Sequence, residues 1–381
     1  MIFSEAVYID ENNILVPAGI IIRQKDIDKL KAWGITTVQS SGTPGFSGTD
    51  SKGENNSEIT PVEGFSKLNY ISSFSEVTEN KNAFNIYMSL VERMNMVFLR
   101  ISKGEKNLDS RIVNAIGVQL LQTFRSERNR FIGFILGSSV KGFDMAKSSV
   151  NIAILSALIA QELKFPHHKL LNLIIGALLH DAGMLRLPKE IIEKQGGLSE
   201  EERTRIRSHP LFSQRIVVKE LTYPDEVGDI VLQHHERWDG NGYPFHFNGE
   251  KIDIGARIVT IADAFEAMVS FKPYRNPIIG NQAMKNLLAD NSSRFDPETL
   301  KIFIMTMGIY PIGSIVQLNN GAIARVSDIQ ASAPLRPKVQ ILINELKNVI
   351  GDQETYYIDL LAEKNLYITK TMDQKELSEM V

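Results

Sequence analysis

Apolar residues recur at helical spacing through the middle of this chain, from about Phe65 to Asp296. Residues three and four positions apart share one face of a helix, so this pattern predicts amphipathic helices that pack together. The spacing is most regular at two sets of positions: Leu90, Met94, Val97, Phe98 and Ile101, then Ile112, Ile116, Leu120 and Phe124. Further helices are predicted over residues 144–163, 168–180, 227–234 and 258–268.

Both ends of the chain have a different pattern. Near the N-terminus, Val7–Ile9 and Ile14–Val16 flank a polar turn and predict a β-hairpin, and residues 24–33 are compatible with a helix. After about residue 310, Ile315–Leu318 and Ala322–Ala324 flank a turn with the sequence Asn-Asn-Gly, which is a strong hairpin signal. Three later stretches complete a small β-rich unit: Val339–Ile343, Tyr357–Leu360 and Leu366–Ile368.

We therefore predict a mainly α protein, in which an all-helical domain is flanked by a small N-terminal α/β unit and a small C-terminal β-rich unit. Residues 1–39 form the α/β unit, and residues 40–64, rich in Ser, Gly, Thr and Asn, form a flexible linker. Residues 65–139 are a helical connecting region, residues 140–305 form the domain that carries all seven histidines, and residues 306–381 form the β-rich unit.

Composition excludes several classes of function. The chain has 42 basic and 45 acidic residues and a net charge of -3, which argues against a nucleic-acid polymer or a membrane surface as partner. The absence of cysteine excludes disulfides, thiolate metal sites and cysteine nucleophiles, and it fits a cytoplasmic protein. The N-terminus lacks the pattern of a signal peptide, and the most apolar stretches fall short of the roughly 20 residues that span a bilayer.

Four of the seven histidines belong to a set of residues with the chemistry of metal ligands. The set contains a His-Asp pair, a lone His, two adjacent His and a lone Asp: His180, Asp181, His209, His234, His235 and Asp263. A single buried His is usually a hydrogen-bonded core residue, but two tandem pairs favour a site for two metals. Mixed nitrogen and oxygen ligands suit iron, manganese or zinc better than magnesium or calcium. Glu236, beside this set, is predicted to orient an imidazole.

The order of these residues resembles that of the HD-GYP subfamily of HD-domain metal-dependent phosphohydrolases. The resemblance covers roughly residues 140–300. It rests on these motifs: His180-Asp181-Ala182-Gly183, Ser208-His209-Pro210, His234-His235-Glu236, Asp239-Gly240-Asn241-Gly242-Tyr243-Pro244, Ala262-Asp263-Ala264-Phe265-Glu266-Ala267 and Lys272-Pro273-Tyr274-Arg275. In the last motif, Lys stands where the family usually has an Arg.

The resemblance implies a bacterial cyclic di-GMP phosphodiesterase with an all-helical catalytic domain. The product would be pGpG or GMP. Two divalent metal ions would serve as cofactors, with iron as the expected metal and manganese as the alternative. In this family the Gly-Tyr-Pro loop is associated with contacts to GGDEF-type diguanylate cyclases, which makes such an enzyme a predicted protein partner.

The resemblance also implies a role for each residue that matches a family motif. Asp181 would bridge the two metal ions. One ion would be bound by His180 and Asp263, and the other by three imidazoles, those of His209, His234 and His235. The nucleotide and its phosphates would face three further side chains, those of Tyr243, Lys272 and Arg275.

Two positions depart from the family pattern. Met184 stands where the His-Asp-x-Gly-Lys motif has a lysine thought to contact the scissile phosphate, and methionine offers neither charge nor a hydrogen-bond donor. Arg186, two residues later, is a candidate replacement. Ser148 stands where the family usually has a further histidine, one helix upstream. Asp144, one helical turn before Ser148, could reach the same metal.

These departures leave three hypotheses open. The first is an active phosphodiesterase slowed by the missing lysine. The second is a catalytically degenerate protein that binds cyclic di-GMP, or a protein partner, without turnover. The third is a phosphohydrolase for another nucleotide, against which the Gly-Tyr-Pro signature argues.

Overall fold

The computed structural model describes residues 2–3, 7–10, 13–16, 40, 44–45, 81–105, 108–137, 144–192, 194, 196–270, 278–289, 293–351, 355–372 and 376. The chain divides into two compact units. One consists of Val77–Ile278 and Asp290–Phe303, and the other of Met1–Glu76, Ile279–Ala289 and Ile304–Val381.

The helices follow one another along the chain as α1 to α11. Their bounds are α1 Lys81–Ser102, α2 Ser110–Gly137, α3 Asp144–Glu162, α4 His167–Leu179, α5 Lys189–Ile192, α6 Glu200–Ile206, α7 His209–Arg215, α8 Asp225–Gln233, α9 Ile254–Val269, α10 Gly280–Ala289 and α11 Pro297–Met307. Short 3-10 helices cover Ala182–Arg186 and Gly249–Lys251, and a π-helical turn covers Ile216–Glu220. The prediction of a mainly α protein is confirmed.

Helix α3 is the centre of the larger unit. It packs against α1, α2, α4 and α9, and nearly every residue from Ala146 to Ala160 is buried. A helix that is apolar on all sides has to be covered on all sides, which explains why the sequence between Asp144 and Leu163 lacks a polar face. The metal-ligand motifs follow on α4, α7, α8 and α9, which pack around this core.

Two glycines allow three of these helices to meet closely at Ile230 in α8. A Cβ on Gly176 of α4 would lie 2.6 Å from Ile230 Cγ2, and a Cβ on Gly255 of α9 would lie 2.7 Å from Ile230 Cγ1. Both distances are shorter than van der Waals contact, so neither position has room for a larger residue. The His-Asp pair follows directly after the end of α4, and the two adjacent histidines follow directly after the end of α8.

The smaller unit contains a five-stranded antiparallel sheet. Its strands are β5 Ile315–Leu318, β6 Ile323–Asp328, β7 Lys338–Ile343, β8 Tyr357–Asp359 and β9 Ile368–Met372, in the order β8-β7-β6-β5-β9. The hairpin predicted at the Asn-Asn-Gly turn is present, with Val316 opposite Ala324. One face of the sheet is covered by an apolar cluster that includes Val326, Ile341 and Leu360.

The last strand differs from its prediction. The sequence favours a strand over Leu366–Ile368, but β9 begins at Ile368 and pairs with β5 as far as Met372. Leu366 is instead held in a turn, because its amide donates to the Glu363 carbonyl and its carbonyl accepts from the buried Arg336 guanidinium at 2.6 Å. The buried cation was not evident from the local sequence.

The described part of the N-terminal segment contains four short strands. They are β1 Ile2–Phe3, β2 Val7–Asp10, β3 Asn13–Val16 and β4 Pro44–Gly45. Strands β2 and β3 pair antiparallel, as the hairpin prediction required, and β1 pairs with β4. The helix predicted over residues 24–33 and most of the predicted linker lie outside the described residues. Within the described part of the chain, no helix combines the length and the apolar composition needed to cross a membrane.

Candidate metal centre

Four predicted ligands converge at one point in the helical unit. One ligand atom from each of Asp181, His209, His234 and His235 lies within 4.8 Å of all the others. His209 and His234 are buried, and Asp181 is partly exposed. Residues from the ends of α4 and α8 and from the start of α7 therefore meet as the motif order predicted. Among the described residues, this is the one group found with the spacing of metal ligands.

The Asp181 carboxylate is at the centre of the group. Its Oδ1 lies 3.0 Å from Nε2 of His209 and 3.7 Å from Nε2 of His234. Its Oδ2 lies 3.5 Å from Nε2 of His180. One oxygen of this carboxylate thus faces His209 and His234, and the other faces His180.

The buried imidazoles share one hydrogen-bond pattern. Nδ1 of His180 lies 2.8 Å from the Ala177 carbonyl, Nδ1 of His209 lies 2.7 Å from the Ile206 carbonyl, and Nδ1 of His234 lies 2.8 Å from the Val231 carbonyl. A carbonyl only accepts, so each Nδ1 carries the proton, and in the neutral ring Nε2 keeps its lone pair for a metal.

The resulting arrangement fits a cation. The Nε2 atoms of His209 and His234 are only 3.3 Å apart. Two neutral imidazoles with their Nδ1 atoms protonated would point lone pairs at each other there, beside a carboxylate. A positive charge between them removes this repulsion, and a divalent metal ion bound by imidazole nitrogens and carboxylate oxygen provides that charge.

Electrostatics in the group favour neutral imidazoles at the two adjacent histidines. Burial, reinforced by the nearby His180 and His209, lowers the pKa of His234 to about 4. Burial and the neighbouring His234 and His209 also hold the pKa of His235 well below its usual range. Both imidazole rings are therefore neutral at neutral pH, as metal ligands must be.

The His180 side of the group has excess negative charge. Burial by itself would lower the pKa of His180, but Asp181 and Asp263 raise it to about 9. Burial would likewise raise the pKa of Asp181, but the charge of the adjacent His180 holds it well below its usual range. The charge of Asp263 therefore acts on His180, but Asp263 is outside the group of four, and its role as a metal ligand stays a prediction. The same negative charge attracts a divalent cation.

Ser213 connects two of the ligand-bearing segments, and the motif analysis did not single it out. Its hydroxyl donates to the His180 carbonyl at 2.6 Å and accepts the Gly183 amide at 2.8 Å. A Cβ on Gly183 would lie 2.0 Å from the His209 carbonyl oxygen, so the glycine of the His-Asp-Ala-Gly motif permits this approach. The available signal was position, since Ser213 lies one helical turn after His209.

The Gly-Tyr-Pro loop folds back onto the histidine pair. The Tyr243 amide donates to the His235 carbonyl at 3.2 Å, and the ring centroids of these two residues are 4.7 Å apart. A Cβ on Gly242 would lie 2.4 Å from the Arg237 nitrogen, so a side chain at residue 242 would prevent this fold. The Glu236 carboxylate, expected to orient an imidazole, accepts the Phe245 amide at 2.7 Å and thus fixes the loop.

Ser148, the first departure from the family pattern, and Asp144, its proposed substitute, differ in their surroundings. The Ser148 hydroxyl donates to Glu266 at 2.7 Å, and Glu266 also accepts from Asn151 and Ser270. Ser148 therefore belongs to a buried polar network. Asp144 is exposed in the first turn of α3 and is not in the group of four. Its role as a ligand stays a prediction.

Arg186, the candidate replacement for the missing lysine, forms an ion pair with another residue. Arg186 Nη2 donates to the Glu220 carboxylate at 2.7 Å. Met184 is partly buried in the short 3-10 helix after Asp181. Lys272 and Arg275, which the resemblance assigns to the nucleotide, lie outside the described residues.

Comparison with known proteins agrees with this geometry. The family model described as "HD domain" matches residues 134–299. That region is an HD domain. Residues 315–380 match a second model, described as a KOW domain associated with HD domain.

Two relatives are similar to more than half of this chain. A cyclic di-GMP phosphodiesterase of Pseudomonas aeruginosa is 31% identical over 201 residues, which are 53% of this chain and 48% of that protein. The cyclic di-GMP phosphodiesterase PdeB of Borreliella burgdorferi is 32% identical over 229 residues, 60% of each chain. The resemblance to the HD-GYP subfamily is thereby confirmed, and the chain spans about half to three fifths of these relatives' length.

Among solved structures, Bd1817 of Bdellovibrio bacteriovorus, described as an HDG"Y"P protein, aligns with a TM-score of 0.47 and 20% identity. The alignment covers 58% of this chain and 70% of Bd1817.

Proposed function

We propose that this protein is a metal-dependent phosphodiesterase that hydrolyses cyclic di-GMP to pGpG or GMP. One observation carries the proposal: three buried imidazoles, each with Nδ1 bonded to a backbone carbonyl, direct Nε2 at the two oxygens of Asp181. Such a set of atoms has little use in a structural core, because the Nε2 lone pairs of His209 and His234 would face each other at 3.3 Å unless a cation lies between them. The names of the two relatives supply the substrate class.

The ligand set supports two divalent ions, with iron as the proposed metal and manganese as the alternative. Asp181 would contact both ions. His209, His234 and His235 would hold one ion, and His180 and Asp263, with Asp144 as a further candidate, would hold the other. A pair of ions in such a site lowers the pKa of a water molecule and stabilises negative charge on phosphoester oxygens.

The chain's own residues would place the substrate against this centre. Tyr243 lies beside His235, where it would contact the nucleotide, and Lys272 and Arg275 are proposed to contact its phosphates because cationic side chains suit a phosphodiester. The Gly-Tyr-Pro loop, fixed by Glu236, is a proposed contact surface for GGDEF-type cyclases. A cytoplasmic location also stays a prediction.

The proposal is tested by measuring metal and product on the same preparation. Freshly purified protein should contain iron or manganese and should form pGpG from cyclic di-GMP when Fe(II) or Mn(II) is added. The double variant His234→Ala, His235→Ala should lose metal and product together. Its metal affinity should fall by more than the roughly 10- to 100-fold that loss of an outer hydrogen-bond partner costs. His168→Ala, an exposed histidine on α4, is the matched control and should change neither. Unchanged metal in the double variant would contradict the ligand assignment.

Two observations favour a second candidate, a degenerate member that binds cyclic di-GMP without turnover. Met184 brings no charge to the site, and Arg186 is bonded to Glu220 instead of replacing the lysine. Ser148 is committed to Glu266. Metal-loaded protein that binds cyclic di-GMP but forms no product would support this second candidate.

A further inference from the structure

Arg207 lies beside the candidate metal centre and does not belong to any of the family motifs. The guanidinium carbon of Arg207 is 5.8 Å from the centroid of the Tyr243 ring. That ring is in turn 4.7 Å from the His235 ring and 6.5 Å from the His209 ring, centroid to centroid. One aromatic ring therefore separates Arg207 from two of the proposed metal ligands.

The backbone holds Arg207 in this place. Arg207 caps the C-terminus of α6, where its amide donates to the Arg203 carbonyl at 2.9 Å. The chain then turns, and α7 begins at His209, whose Nδ1 is fixed by the Ile206 carbonyl. Arg207 is thus two residues from a proposed ligand, in a turn that the ligand itself stabilises.

Arg207 is also available for an anion. Its side chain is exposed, and among the described residues no carboxylate lies within ion-pair distance of it. Arg186, by contrast, is paired with Glu220, and Arg203 on the same helix is paired with Glu200. A guanidinium presents five donors in a plane, which matches the oxygens of a phosphate diester. A cation–π contact made by an exposed guanidinium is weak, so the group can move from the partly buried Tyr243 ring to a bound anion.

We propose that Arg207 binds a non-bridging phosphate oxygen of the substrate and supplies the positive charge that the site lacks at Met184. The proposal rests on the proposed phosphodiesterase function. Tyr243 then has two contacts, with the Arg207 guanidinium and with the His235 ring, and aligns the cation with the metal centre. Arg207 is a substrate-binding residue, and no proton transfer is required of it.

The test compares Arg207→Ala, Arg207→Lys and Arg205→Ala. Arg205 is the matched control, because it is an exposed arginine two positions earlier on α6. Each variant is assayed with cyclic di-GMP and with bis(p-nitrophenyl) phosphate, a phosphodiester without a base. Arg207→Ala should lower kcat/KM for both substrates, by up to the roughly 10²-fold typical of losing one positioned charged donor. Bound metal should be unchanged, Arg207→Lys should recover part of the activity, and Arg205→Ala should match the wild type.

The addition of Met184→Lys to Arg207→Ala separates a charge role from a structural one. If Arg207 supplies charge, the added lysine should restore much of the lost kcat/KM. Equal kcat/KM in Arg207→Ala and the wild type would overturn the proposal, and so would a loss confined to cyclic di-GMP, since that would indicate contact with a base.

The proposed function can fail separately from the role of Arg207. If the wild type binds cyclic di-GMP but turns over neither substrate, the phosphodiesterase proposal fails. The calorimetric Kd for cyclic di-GMP then decides the role of Arg207. Weaker binding by Arg207→Ala than by Arg205→Ala supports a phosphate contact, and equal binding overturns it.

Discussion

The candidate site has two halves that differ in how completely they are built. The half formed by His209, His234 and His235 has three adjacent imidazoles, and a fixed Tyr243 loop beside them. The half around His180 has Asp181 and Asp263 nearby but only the hydroxyl of Ser148 where the family has an imidazole. In the proposed two-metal site, one position would have a full set of ligands and the other would depend on fewer. We therefore expect the two proposed positions to differ in metal affinity.

The largest expected effect restores the missing charge beside the incomplete half. In a protein that already carries Arg207→Ala, Met184→Lys should raise kcat, because losing one preorganised donor typically costs roughly 10²–10³ in rate and the added lysine reverses that loss. Product formation from cyclic di-GMP at saturating metal is the measurement. Met184→Gln in the same background, similar in length but uncharged, is the control and should stay near the rate of Arg207→Ala. No gain in the lysine variant would contradict a role for charge at residue 184.

A smaller effect is expected from returning an imidazole to the incomplete half. Ser148→His should tighten binding of the weaker metal, by about the 10-fold scale that one ligand's surroundings contribute. Titration against a chelator, with metal counted per chain, measures the change. Ser148→Ala removes only the bond to Glu266 and should cost about 1–3 kcal/mol of stability without any gain in metal. If both variants bind metal alike, the two halves do not differ through residue 148.

The smallest effect concerns the link between the halves. Ser213→Ala deletes the hydroxyl that joins the His180 carbonyl to the Gly183 amide, leaving a buried donor without its partner. The expected cost is about 1–3 kcal/mol in the free energy of unfolding, read from urea denaturation. Ser208→Ala is the control, because that exposed hydroxyl bonds only to the Arg205 carbonyl in its own turn. Equal midpoints for the two variants would show that Ser213 does not couple the segments.

Several features of the fold were predictable because they depend on near neighbours. Helix α3 was expected over Asp144–Leu163 and is observed over Asp144–Glu162, since an unbroken apolar run with helical spacing has few alternatives. The hairpins at Asp10 and at the Asn-Asn-Gly turn followed from turn chemistry. The predicted start of strand β9 was about two residues too early, because the buried Arg336, which lies just before β7, holds Leu366 in a turn.

The sequence by itself determined which side chains form the candidate site and in what order they occur. His180, Asp181, His209, His234 and His235 were identified from motif spacing, which is a local property of the chain. The tautomers of His180, His209 and His234 also depend on nearly local contacts, because the carbonyl that bonds each Nδ1 lies three residues earlier.

Only the tertiary structure decided which residues Ser148 and Arg186 contact. Ser148 bonds to Glu266, 118 residues away, and Arg186 bonds to Glu220, 34 residues away. Arg207 meets Tyr243 across a similar gap in sequence. Contacts of this kind depend on how helices pack, and a change of a few ångströms in packing changes the partner. A list of motifs carries no such information, so it could not show that Arg207 lies beside Tyr243.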